Sequence, residues 1–180
     1  MEPIRTISSW SELGAIEENT LLVFDIDETF LWFPTINEAW WQETLQRLSA
    51  QHPPDRVDEL AKEEWLRVVN QEMPVPTDVE GFRELNLEIK RTNSRLTFLT
   101  ARLESFSHLT RKHLNFCGVA PDTVIHYSSS KGQALRTIAA KYPTCKNVIF
   151  VDDKPANLED VRFYNPSVLL YRWILKKGVA

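Results

Sequence analysis

Five short runs of the chain are almost continuously apolar: TLLVFDI (20–26), RLTFLTA (95–101), TVIHY (123–127), NVIFV (147–151) and SVLLYRW (167–173). A strand with one wet face alternates apolar and polar residues, and these runs do not. They read as strands buried on both faces, which is how a parallel sheet covered by helices looks in sequence. The segments between them support that reading. SFSHLTRKHLNFCG (105–118) and KGQALRTIAAKYP (131–143) have helical spacing, the first ending at Cys117-Gly118 and the second before Pro143. Strand alternating with helix predicts an α/β fold with a parallel sheet and helices on both faces. SSWSELGAIEEN (8–19) is expected as one more amphipathic helix entering the first strand.

One interval breaks the alternation. Residues 27–94 separate the first two apolar runs, far more than the dozen or so residues a crossover between parallel strands needs. Two helical patterns, 36–52 and 54–73, are divided by Pro53-Pro54, and MPVPTD (73–78) separates them from a third, 77–92. Residues 1–32 and 77–180 are therefore expected to form one Rossmann-like core, and 33–76 an inserted helical hairpin. Trp32, Trp40, Trp41 and Trp65 are available to pack this insert or to face a ligand, and packing is the commoner use of tryptophan at such positions.

The first run leads directly into Asp25 and Asp27, and carboxylates at the end of a buried strand require a partner. Ligand sites of parallel α/β sheets lie at the carboxyl ends of the strands. Thr100, with Ala101 and Arg102 behind it, ends the second run; Asp152 and Asp153 end the fourth; Lys131 opens a helix after three serines. All of these fall on one rim. A carboxylate there can attack a phosphoryl group, and a second one two residues on can exchange a proton with the leaving oxygen. Clustered carboxylates suit Mg²⁺, while a hydroxyl and an ammonium suit phosphoryl oxygens.

FDIDET (24–29), FLTAR (98–102), Lys131 and VIFVDDKPANL (148–158) together resemble, in order, the four motifs of the haloacid dehalogenase-like superfamily. The resemblance spans residues 20 to 175 apart from the insert. It implies that Asp25 is the nucleophile, Asp27 the general acid/base, and Thr29 a residue fixing the motif loop. Thr29, Thr100, Ala101, Arg102 and Lys131 would bind the substrate, with Thr100 and Lys131 on the phosphoryl group. Asp25, Asp27 (through its main-chain carbonyl), Asp152 and Asp153 would form the Mg²⁺ site. An acid at 27 implies a phosphatase or a phosphotransferase to an alcohol rather than a dehalogenase, and the insert falls where the superfamily carries its cap. A fold retained only for binding or regulation is the non-catalytic alternative. The substrate implied is a phosphorylated small molecule or phosphoprotein.

Other readings fail on the residues. Position 30 is Phe where a calcium loop needs Gly, and no GxxxxGK occurs. His52, His108, His113 and His126 have no metal-ligand spacing, so each is expected in a structural role. Two readings stand for Arg102, a phosphate contact or a surface pair with an acid; Lys154 is expected to face solvent or pair locally. A net charge of −4 gives no reason to expect nucleic acid. The absence of a long apolar run or a signal-peptide pattern, with Cys117 and Cys145 read as reduced thiols, leads to an expected cytoplasmic location without membrane association.

Overall fold

The computed structural model of the protein describes residues 2–120 and 122–176; of the expected core, Met1, Pro121 and residues 177–180 lie outside these. Among the described residues, strands β1 (Arg5–Ile7), β2 (Thr20–Phe24), β3 (Leu31–Trp32), β4 (Val75–Pro76), β5 (Arg95–Thr100), β6 (Ile125–Tyr127), β7 (Asn147–Asp152) and β8 (Leu169–Trp173) form two sheets. The helices are α1 (Glu38–Ser49), α2 (Pro54–Val69), α3 (Val79–Arg91), α4 (Ser107–Phe116), α5 (Lys131–Ala140) and α6 (Pro155–Tyr164). The main sheet has the order β1-β8-β7-β2-β5-β6, with every neighbouring pair parallel. The protein is thus α/β with a Rossmann-like parallel sheet.

All five residues of β2 are buried, because alternate side chains enter different cores. On one face Leu22 and Phe24 pack with Phe98, Val151 and Trp173 under Phe82 and Leu85 of α3 and Leu109 and Leu114 of α4. On the other, Leu21 and Val23 pack with Leu99 and Phe150 under Leu135 of α5 and Leu158 and Val161 of α6. This double burial is the cause of the near-continuous apolar runs of β2, β5 and β7, whereas β6, at the sheet edge, is half-buried throughout and not covered on both faces as expected.

The amino-terminal segment differs from the expectation. It is an edge strand, β1, followed by a single 3-10 turn, Trp10–Leu13, and not a helix over 8–19. Gly14 takes φ +74, outside the helical region. Trp10 stacks on Phe24 at 4.5 Å and Trp173 at 4.1 Å, which anchors the turn to the sheet. Asp78, the N-cap of α3, accepts hydrogen bonds from the Ser9 hydroxyl and the Trp10 amide as well as from Gly81. Helix α6 has no counterpart among the expected elements; it opens on Pro155, whose fixed φ and missing N–H suit a first helical position.

Helices α1 and α2 form a hairpin about Leu48, Val57 and Ala61, with Pro54 opening α2. The hairpin leaves and rejoins the main sheet through β3 and β4, a two-stranded antiparallel ribbon in which Leu31 faces Pro76 and Trp32 faces Val75. It therefore lies directly after the turn that carries Asp25 and Asp27. No helix among the described residues is long and apolar enough to cross a membrane.

Candidate functional site

The chain leaves β2 upward to β5 and β6 on one side and returns to β7 and β8 on the other, so the order of the sheet reverses between β2 and β7. The carboxyl ends of strands flanking such a reversal open a crevice for ligands. Asp25 follows β2 there, its amide still bonded to the Val151 carbonyl at 2.9 Å, and Asp152 ends β7. The turn after β2 is tight: the amides of Phe30 and Leu31 both donate to the Ile26 carbonyl, and Glu28 occupies the left-handed region at φ 62.

Three carboxylates meet. One oxygen each from Asp25, Asp152 and Asp153 lies within 4.8 Å of the others. Lys131, with only 2% of its side chain exposed, reaches into the group from the first turn of α5; its Nζ is 2.5 Å from Asp25 and 3.9 Å from Asp152, and it also donates to the Leu99 carbonyl. Burial, then the Asp25 charge, push Asp152 well above the usual carboxylate range, and the same two causes push Asp153 up to about 7. Desolvation alone would lower Lys154, but Asp153, Asp25, Asp152 and Asp27 together outweigh it and raise that ammonium. Several crowded, all-oxygen anionic donors around one buried lysine match the ligand preference of a hard divalent cation.

The supports of this group are specific. Asn157, in the first turn of α6, donates to both Asp152 oxygens at 3.0 Å, and the Lys154 amide donates to one of them at 2.9 Å. The Asp153 amide donates to the Thr29 hydroxyl at 3.0 Å. Thr29 is fully buried and ties the β2 turn to the β7 loop. Lys131 is positioned by a close helix crossing. A Cβ on Gly132 would lie 2.4 Å from the Asp160 carbonyl oxygen, and the Gly132 amide donates to the Asp160 carboxylate at 2.7 Å.

Arg102 pairs with an acid, as one of its two expected readings had it, but in the interior and not on the surface. Only 1% of its side chain is exposed, and it grips both oxygens of Asp27, Nη2 to Oδ1 at 2.6 Å and Nε to Oδ2 at 2.9 Å. Its remaining edge meets His113 Nδ1 at 3.3 Å and Thr110 at 3.5 Å, and its plane lies 5.0 Å from the Trp65 ring of α2. The Asp27 carboxylate is consequently turned to Arg102 and stands apart from the three-carboxylate cluster; its expected place in the metal site would rest on its main chain. His113 is buried beneath this pair, and desolvation followed by the Arg102 charge holds it down to about 4.

Asp25, Asp27, Thr100, Ala101, Arg102, Lys131 and Asp153 all border one cleft of about 210 Å³ between the sheet rim and the α1–α2 hairpin. Trp32, Trp41 and Trp65 border it from the other side, whereas Trp40 does not. Lys154 and Asn157 also border the cleft and were missed as site residues. Pro155 was the available signal, because a helix starting there puts Asn157 one turn beyond the paired acids. No family model matches this chain, and no curated protein does.

Proposed function

We propose that the protein is a Mg²⁺-dependent phosphatase of the haloacid dehalogenase-like type, acting on phosphate monoesters through an aspartyl-phosphate on Asp25. The observation that carries this reading is the grouping of Asp25 with Lys131, Asp152 and Asp153 at the switch point of a parallel sheet. Asp25 lies on the cleft with a lysine on one oxygen, an arrangement suited to an in-line attack by the carboxylate. Attack forms the Asp25 Oδ–P bond and breaks the P–O bond to the leaving group. Asp27, carrying a proton taken up from solvent, gives it to that departing oxygen, then takes one from the water that cleaves the acyl phosphate, releasing inorganic phosphate and restoring Asp25. To do so Asp27 exchanges one of its two Arg102 contacts for the substrate oxygen. Thr100 and Lys131 stabilise the phosphoryl oxygens as their charge shifts. Asp25, Asp152 and Asp153 would hold Mg²⁺, which when bound offsets charge between nucleophile and phosphate.

The test is phosphate release from p-nitrophenyl phosphate and acetyl phosphate by the wild type and Asp25→Asn, with and without Mg²⁺. Release that requires both the metal and Asp25 is the expected result. Equal release by Asp25→Asn would overturn the proposal.

A further inference from the structure

We propose that the cleft selects monoesters whose leaving group carries a single aromatic ring; this rests on the phosphatase reading above for the orientation of the substrate. The two walls of the cleft differ in chemistry. The sheet side offers Asp25, Thr100, Lys131 and Asp153, all suited to a phosphoryl group. The hairpin side offers Trp32 from the neck, Trp41 from α1 and Trp65 from α2.

These three tryptophans are half-buried, in contrast to Trp10 and Trp173 of the sheet core. All three border the same cleft as the charged cluster. Trp65 is fixed edge-on against Phe33 at 6.1 Å, with the Arg102 guanidinium over it. Trp41 packs its other side onto the hairpin core and tilts against Trp40 at 6.4 Å. Both rings are therefore held by their surroundings before any ligand arrives, which limits the ordering cost of binding.

Size narrows the leaving group. A cavity of about 150 Å³ accommodates benzene, whereas drug-sized ligands use roughly 300–1,000 Å³. At about 210 Å³ the space between the walls matches one ring and a phosphoryl group, and the open mouth leaves the rest of a larger substrate in solvent. A planar ring gains offset or edge contacts with tryptophan that a saturated ring of the same size lacks, and two such contacts amount to about tenfold in affinity.

The test uses binding, so that it stands apart from turnover. The full chain with Mg²⁺ is titrated calorimetrically with benzylphosphonate and with cyclohexylmethylphosphonate. The expected result is benzylphosphonate about tenfold tighter in the wild type, a ratio near three in Trp41→Leu, and recovery in Trp41→Phe. Thermal melts of both variants establish that each is folded, and Trp65→Leu supplies a second route to the same loss. Equal affinities in the wild type, or an undiminished ratio in both leucine variants, would overturn the ring selection while leaving the phosphatase reading intact. Absence of binding by either phosphonate would overturn both. Phosphonomethyl-phenylalanine, free and within a hexapeptide, then distinguishes the source: a tighter peptide assigns the ring to a tyrosine of a protein, and a tighter free amino acid assigns it to a metabolite.

Discussion

The Asp27–Arg102 pair has two ends of unequal exposure, and that asymmetry predicts which partner is costlier to remove. The arginine side chain is 1% exposed and the aspartate 30%. Breaking a buried ion pair by deleting one partner costs about 3–5 kcal/mol, mostly because the survivor's charge is stranded. Asp27→Ala strands the guanidinium among Thr110, His113 and the Trp65 ring, where water has little access, so the full ~3–5 kcal/mol is expected. Arg102→Met strands a carboxylate that hydrates through the cleft, which brings the expected loss to roughly 2 kcal/mol. The double variant removes both charges and should be less destabilised than the sum of the singles by about 2 kcal/mol. Urea unfolding of the four proteins, with comparable m-values, measures all three quantities. Additive losses, or an Asp27→Ala variant within about 0.5 kcal/mol of the wild type, would refute the reasoning that the pair is buried and coupled.

Three further outcomes follow from the geometry. Gly132→Ala forces α5 from α6, costing about 1–3 kcal/mol of stability in urea and shifting Lys131 enough to lower phosphate release; an unaffected variant would contradict the close crossing. His113 titrates at about 4 in the fold against 6.5 when unfolded, so its contribution is constant above pH 7 and is lost as pH falls from 6.5 to 4. The loss approaches ~3 kcal/mol, and the wild-type minus His113→Gln stability difference should show that slope. Burial pushes the Cys117 thiol up to about 12, and Cys145 is less buried. Ellman's reagent at pH 8 should therefore label Cys145 quickly and Cys117 only on opening; equal native rates would contradict this.

Strands β2, β5 and β7 were legible because burial on both faces leaves a continuous apolar run, as in TLLVF. The hairpin was legible through its length and its Pro53-Pro54 break. The amino-terminal strand was not, because β1 is three residues long with a burial pattern carried by Ile7 alone. At the site, Asp25, Lys131, Asp152 and Asp153 could be read from their positions at strand and helix ends. The fate of Arg102 could not. Its partners Asp27 and His113 lie 75 and 11 residues away, and no local pattern distinguishes a guanidinium buried under a helical hairpin from one facing solvent. Thr29 was likewise ambiguous, since its hydroxyl meets Asp153 only through the tertiary fold.

The central claim is that Asp25 carries the phosphoryl group during turnover. Acid quenching of the Mg²⁺-loaded protein during reaction with a ³²P-labelled aryl phosphate tests it most directly. The account predicts a protein-bound label that survives acid, is released by hydroxylamine, maps to the peptide containing Asp25 and is missing in Asp25→Asn. A label on another residue, or undiminished turnover by Asp25→Asn, would contradict it.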